Sequence, residues 1–508
     1  MFKPQYTLLF LLAVGCICGL VMYVFPVKGV PLIKDYSLQF ASWEDFAEKD
    51  TVIPVIDVKE LLASYEEPFD SVAFKDSLTL YAFNARQAKL RIHYADTGVH
   101  LQRFFDALEN DVSSRKIRIL HYGDSQIEGD RISSYLRDKL QKEFGGRGPG
   151  YAPPINQVPS MSLKQDHSEN WIRYTIFGRK DTTVPHKEYG LYGIFGRFTP
   201  YTNDTLPKDS VKAWVAFEKS FLGYSGTRVF RTTTLLYGNA KAPFKVSVYS
   251  DDELVYSETL SGKTNNEKVS WSFSSTPKTL RFEFEGTESP DIYGFRFEDS
   301  KGVVVDNIAM RGSSGTIFAK IKSSQLSKQY RETDARLIIL QYGGNTVPYI
   351  DSKAEAERYG KWMSRQIALV KKLNPQASLV FIGPSDMATK DKTDYVTFPF
   401  LIEVRDVLKQ AAFENDCGFW DIFEVMGGEN SMQSWVDADP PLAGKDYVHF
   451  TPTGAKHMAS LFYDALMKDY KVYTDFQAEQ EQLRLKQLEL DSLQQLNDTL
   501  LNDSTPQI

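Results

Sequence analysis

Two side-chain periodicities, one enclosed by the other, constrain this chain more than any other feature. From about residue 165 to 300, apolar and polar residues alternate, as in 244–249 (FKVSVY), 269–273 (VSWSF) and 280–284 (LRFEF). Alternation of this kind buries one face of a strand and wets the other, and turn signals separate the runs, which predicts an antiparallel β-sandwich. On both sides of it the apolar residues come in compact blocks joined by helical stretches. Residues 116–122 (KIRILHY) form one strand, followed by a helix over about 130–144. After 303–308 the same rhythm resumes, with strands at 337–341 and 378–382 and helices over 354–372, 400–413 and 454–468. Strands alternating with helices predict a largely parallel sheet covered on both faces. The simplest arrangement is one α/β domain interrupted by a β-sandwich.

The first nineteen-residue block, 7–25 (TLLFLLAVGCICGLVMYVF), has no charge and ends at Pro26. At ~1.5 Å per residue it just spans a hydrocarbon core of ~30 Å. It is longer than the core of a cleaved signal and exits through bulky residues, so it reads as an uncleaved signal anchor. A lipoprotein signal is the alternative, because Ala13-Val14-Gly15-Cys16 loosely matches a lipobox. Lys28 and Lys34 follow the span, so charge bias does not orient it. The expected location is the bacterial cytoplasmic membrane, single-pass, with the body on the periplasmic side. Cys16, Cys18 and Cys417 are the only cysteines, which excludes a disulfide framework. A formal charge of −7 gives no global attraction for nucleic acid, and none is expected as a partner.

The expected divisions are a membrane or signal segment over 1–26 and an N-terminal region over 27–114. The α/β domain occupies 115–160 and 303–472, with the sandwich inserted at 161–302. The glycine cluster at 145–150 sits after a helix and lacks a Gly-Lys-Ser/Thr ending, so it reads as an exit loop and not a phosphate cradle. Aromatic residues in the insert, among them Trp214, Trp271, Tyr293 and Phe295, are expected to fill its core, with a carbohydrate-stacking face as the alternative. The tail over 473–508 is rich in Gln and Leu. Leu483, Leu490, Leu493 and Leu500 keep a spacing compatible with a short coiled coil or a frayed helix, and self-association is one use of it.

Four short motifs carry the chemistry. Gly123-Asp124-Ser125 follows the first strand, at the edge of a parallel sheet where ligands gather. Arg311-Gly312-Ser313-Ser314-Gly315-Thr316 follows the strand at 303–308, and its glycines allow a close backbone N–H approach to an oxyanion. Tyr342-Gly343-Gly344-Asn345 follows the strand at 337–341 and offers an amide donor. Asp446-Tyr447-Val448-His449 places a carboxylate where it can orient an imidazole and leave the second nitrogen free to take a proton. Of the seven histidines only His449 has both an orienting acid and a loop position. His121 is expected to pack beside the sheet. Nothing in the sequence suggests a metal, and no cofactor is expected.

In order and spacing these motifs resemble the blocks of the SGNH (GDSL-type) hydrolase superfamily. The resemblance covers about 115–150 and 303–470. It implies a flavodoxin-like three-layer α/β/α domain with a parallel sheet. It implies Ser125 as nucleophile, Asp446 and His449 as its partners, and Asn345 as oxyanion donor with the Ser125 N–H. The family's oxyanion glycine maps best onto Gly315, with Gly312 as second choice. Gln126 stands where the family has leucine, which argues against a lipase-like acyl pocket. A sandwich accompanying the domain is similar to bacterial peptidoglycan and polysaccharide O-acetylesterases. The implied activity is removal of O-acetyl groups from an acetylated polysaccharide or peptidoglycan. An O-acetyltransferase using the same residues, and a non-catalytic glycan-binding protein, are the alternatives.

Overall fold

The computed structural model describes residues 4–26, 30–33, 36–38, 40, 56–67, 77–179, 181–201, 209–262, 265–392 and 394–503. Lys28, Lys34 and the Leu500 side chain lie outside them. The chain divides into two compact units, residues 1–55 and 56–508. The first contains the helix Pro4–Val24, whose apolar side chains are exposed along its length, and a hairpin of Val30–Ile33 with Tyr36–Leu38. The segment Gln5–Val24 is long and apolar enough to cross a membrane.

In the second unit the central sheet has six strands. Their order is Gly302–Ala309, Lys116–Gly123, Ala335–Gln341, Ser378–Ile382, Gly418–Trp420 and Ile92–His93. The first five are parallel, and only the short last strand is antiparallel. Counting the parallel strands along the chain, the order is 2-1-3-4-5, the flavodoxin-like arrangement. The strands are largely apolar because both faces are covered, and the polar residues they carry, such as Arg118, His121 and Asp306, are buried. Leu337 and Ile339 enter one core with Leu136, Leu140, Phe104 and Phe462, whereas Ile338 and Leu340 enter the other with Tyr330, Met363 and Leu408.

Between the first two parallel strands the chain builds two antiparallel sheets. One runs Glu267–Ser272, Thr232–Gly238, Asp291–Glu298, Ile194–Arg197, Ile172–Thr175. The other runs Glu253–Leu260, Phe244–Ser250, Thr279–Gly286, Val211–Lys219, Leu163–His167. Alternate side chains fill the space between them, with Phe217 and Phe282 meeting Phe295 at ring separations of 5.0 and 4.8 Å. Trp271 and Phe295 lie in this core. Tyr293 is buried on the opposite face of its strand, against the α/β layer. Trp214 is half-buried on the outside beneath the Arg281 guanidinium at 4.9 Å, so it does not share the core position expected of it. Gly150–Ala152 already pairs with Asp291–Glu298, so the chain enters the antiparallel layer directly from the glycine cluster. Gly146 and Gly148 hold φ of +111° and +96°, and an added Cβ would fall 2.5 Å from the Val303 oxygen and 2.3 Å from the Phe297 oxygen. The cluster is therefore a close backbone crossing between the layers.

The helix Pro452–Asp503 runs unbroken for 52 residues, about 78 Å. The expected stop near 468 does not occur because no glycine or proline interrupts 455–503. Its first part packs Phe462 and Leu466 on the sheet. Beyond Thr474 it is exposed, including Leu483, Leu490 and Leu493.

A buried ion cluster joins the layers. Arg118 on the first parallel strand binds Asp306 at 2.8 Å and also Glu298, while Lys116 reaches Glu298 at 2.6 Å. The Tyr192 hydroxyl and the Tyr151 N–H donate to Asp306. Burial pushes the Glu298 carboxyl up, but Arg118, Lys116 and Arg296 outweigh it and bring it to about 2 from an ordinary 4.5. A carboxylate depressed in the folded state stabilises fully above its unfolded pKa and loses that contribution as pH falls toward its folded value. Urea unfolding followed against pH should therefore show an acid limb between about 4.5 and 2, and Glu298→Gln should flatten it. Asp306→Ala, which leaves Arg118 with Glu298 as its one carboxylate partner, should cost ~3–5 kcal/mol at neutral pH.

Candidate active site

Strand order decides where a crevice opens. The connections leaving Lys116–Gly123 and Ala335–Gln341 diverge at their carboxyl ends, which is the switch point of such a sheet. Ser125 follows the first strand and Asn345 the second. Asp124 caps the short 3₁₀ turn Ser125–Asp130, its carboxylate accepting the Gln126 N–H at 2.9 Å. That cap stops the strand and turns Ser125 out of the sheet plane.

The His449 loop lies between Leu442, whose carbonyl accepts the Thr451 N–H at 3.0 Å, and the start of the last helix. Asp446 Oδ1 accepts the backbone N–H groups of Val448 and His449, each at 3.0 Å, and Oδ2 lies 2.8 Å from His449 Nδ1. Partial burial pushes this carboxyl up, but the backbone N–H groups and the imidazole prevail and hold it below the ordinary range. An ionised Asp446 fixes the proton on Nδ1. His449 Nε2 then presents its lone pair to Ser125 Oγ, 2.7 Å away. The arrangement can draw a proton from the serine hydroxyl and return it to a leaving group.

Ser125, Asn345 and His449 line one cavity of about 210 Å³, together with Gln341, Met387 and the exposed Tyr349. The Asn345 amide donates to the Ser313 carbonyl at 3.4 Å. Burial pushes the Asp124 carboxyl up to about 6, against the Gln126 N–H, His449 and Asn345, which pull it down. Gly315 has φ +80°, and a Cβ there would meet the Tyr342 ring at 2.7 Å, so only glycine fits. Its N–H donates to Ser313 Oγ at 3.2 Å, and it is not among the residues lining the cavity. Gly312 is exposed.

The other histidines stand apart. His121 is fully buried, with Nε2 3.1 Å from Gln341 Oε1 and Nδ1 2.9 Å from Ser133 Oγ. Burial lowers it to about 4, so it is a neutral strut beneath the site. His457 is exposed on the last helix. Among the described residues no group of three or more His, Cys, Asp or Glu side chains could hold a metal ion.

Two side chains absent from the motif reading brace the site. The Gln126 amide donates to the Val448 carbonyl at 2.6 Å and to Ser385 Oγ at 3.2 Å. Arg131 donates to the Ser125 carbonyl at 2.9 Å and to the Phe450 carbonyl at 3.1 Å. Both tie the serine turn to the histidine loop across more than 300 residues of chain. The departure from leucine at 126 was the available signal for the first. Tyr447 holds φ +57°, uncommon for a bulky residue, while its ring stacks on Tyr395 at 3.6 Å and its carbonyl accepts the Ala388 N–H.

Residues 280–457 match the model of the GDSL-like Lipase/Acylhydrolase family. That span includes Gly315, Asn345, Asp446 and His449 but not Ser125, which lies before the insert. A solved peptidoglycan O-acetylesterase shares the fold at 20% identity and a TM-score of 0.58, over 75% of this chain and 99% of that one. Further likenesses include the acetyl xylan esterase AlAXEase, at 15% identity over 32% of this chain and 81% of that one, with a TM-score of 0.25. A family two carbohydrate esterase from Clostridium thermocellum in complex with cellohexaose shows 9% identity, 60% and 99% coverage and a TM-score of 0.23. No curated protein matches the chain.

Gln126→Leu removes two hydrogen bonds worth ~1 kcal/mol each, one of them to the histidine loop at Val448 and the other to Ser385. It should slow labelling of Ser125 by a fluorophosphonate about tenfold or more, measured as a second-order rate, with little change in thermal midpoint.

Proposed function

We propose that this chain, an SGNH hydrolase, removes O-acetyl groups from a polysaccharide or peptidoglycan of the cell envelope through an acyl-serine on Ser125. The observation that carries the reading is the continuous line from Asp446 through His449 to Ser125, at 2.8 and 2.7 Å. Ser125 Oγ attacks the acetyl carbonyl carbon while its proton passes to His449 Nε2. The carbon–oxygen bond to the sugar breaks, and the imidazolium returns that proton to the leaving hydroxyl. Water then repeats the sequence on the acyl-serine and releases acetate. Asp446 stabilises the imidazolium. The Ser125 N–H and the Asn345 amide are the proposed oxyanion donors, with the Gly315 N–H joining them if it leaves Ser313 Oγ.

The modest cavity suits a short acyl group, and the exposed Tyr349 ring at its rim suits a sugar face. The acetylated-glycan substrate is supported by the fold shared with a peptidoglycan O-acetylesterase. The Gln5–Val24 helix would serve as the anchor that keeps the body beside the envelope.

Purified full chain in detergent should release acetate from acetylated peptidoglycan or another acetylated glycan. Ser125→Ala should abolish both acetate release and fluorophosphonate labelling. Asn345→Ala should lower kcat by about 10²–10³-fold, the usual cost of one oxyanion donor. Release undiminished in Ser125→Ala would remove the proposed nucleophile, and no release from any acetyl ester would remove the esterase reading.

A further inference from the structure

A second cavity, of about 70 Å³, lies where the antiparallel insert meets the edge of the central sheet. It is well above the ~15 Å³ that a single water requires. One wall is Asn307–Ile308–Ala309 at the carboxyl end of the edge strand, and another is Glu128–Gly129–Asp130 from the turn that begins at Ser125. Ala309 pairs with Gly123, two residues before Ser125, and the Met310 N–H donates to the Gly123 carbonyl at 2.8 Å. Neighbouring strands are ~4.8 Å apart, so the cavity is one strand removed from the serine turn.

Arg173, on the insert strand Ile172–Thr175, lines this cavity. Its register partner is Gly196, against which Pro154 and Trp171 pack. Arg173 is half-buried, its Nε is inaccessible to solvent and lacks a hydrogen-bond partner, and among the described residues it forms no ion pair. Burial of this kind disfavours the charge and lowers its pKa. Glu128 and Asp130 share the cavity but are already committed. Glu128 is bidentate to Arg311, and Asp130 binds Arg137 at 2.6 Å. A partly desolvated cation without an ion-pair partner is well placed to take a ligand anion. Asn156, Gln157 and Ser160 are neutral polar residues lining the same cavity.

We infer that this cavity is a subsite for a carboxylate carried by the glycan, held by Arg173 while the acetyl ester lies at Ser125. One uncompensated positive charge flanked by two carboxylates matches a monoanion and disfavours a doubly charged phosphate. The acetylated glycan would then be an acidic one, bearing a carboxylate on the acetylated sugar or its neighbour. The inference rests on the O-acetylesterase reading for its place beside Ser125, but the binding it describes does not require turnover.

The test uses the full chain in detergent and two probes, N-acetylmuramic acid and its methyl ester, which differ in the carboxylate charge and one methyl group. In the Ser125→Ala chain, calorimetric binding should favour the acid by about tenfold, as a charge-assisted hydrogen bond implies. Arg173→Gln placed in the same chain should bring that ratio to about one, and Arg173→Lys should retain part of it. With the 6-O-acetylated forms of the two probes, the active chain should show the same preference in kcat/KM. Equal binding of acid and methyl ester, or a preference surviving Arg173→Gln, would overturn the subsite. The acid–ester ratio in the unsubstituted Arg173 chain decides the matter even if the variants fail to fold. Preference in binding with no acetate released would leave the subsite standing and sink the esterase reading instead.

Discussion

The buried cluster of Arg118, Asp306 and Glu298 is the constraint on which the rest of this structure depends. Arg118 has almost no solvent contact, so its charge is tolerable only if both carboxylates arrive. Glu298 comes from the last strand of the insert and Asp306 from the edge strand of the central sheet. One side chain therefore ties the sandwich and the parallel sheet together. The insert is for this reason not an appendage on a finished domain. Its sheet also packs Tyr293 against the α/β layer, and the glycine crossing at 146–148 admits no separation between the two.

That dependency reaches the site through strand order. The strand leading to Ser125 lies between two neighbours, 302–309 and 335–341, and both are supplied after the insert. Closing a loop of this length costs only slightly more entropy than closing one half as long. The parallel ladder and the ion cluster more than offset the difference. Once the ladder forms, Ser125 and Asn345 are delivered to the same edge without any further adjustment. His449 reaches them from the opposite direction, on the loop that precedes the last helix.

How legible this was depended on the kind of interaction. Periodicity reports burial, so the two-faced strands at 337–341 and 378–382 and the alternating strands of the insert could be read within a residue or two. The four motifs were readable because each carries its geometry locally: Asp446 reaches His449 within one turn of chain, and Asp124 caps the turn it precedes. What could not be read were partners remote in sequence. Gln126 announced itself only as a departure from leucine, Arg131 not at all, and the Arg118 cluster was invisible because its members are scattered over 188 residues. Trp214 was misplaced because alternation assigns a face without saying whether something covers it. The final helix runs past 468 because no glycine or proline stops it, although its packing on the sheet ends near Thr474.

The braces explain why a short Asp-x-x-His loop can hold a 2.7 Å contact to a serine on another element. The acid and the imidazole are fixed to one another by local hydrogen bonds, but nothing local fixes that pair to Ser125. Tyr447 shows the cost of the loop's shape, since its positive φ is sustained by stacking on Tyr395 and by hydrogen bonds with Gly444 and Ala388. Gln126 and Arg131 supply the missing connection by gripping the carbonyls of Val448 and Phe450, on either side of His449. A leucine at 126 could fill the same volume but could not bind a carbonyl. The polar side chain at that position thus converts the serine turn and the histidine loop into one rigid element, so that the relative placement of base and nucleophile is set by hydrogen bonds and not by packing alone.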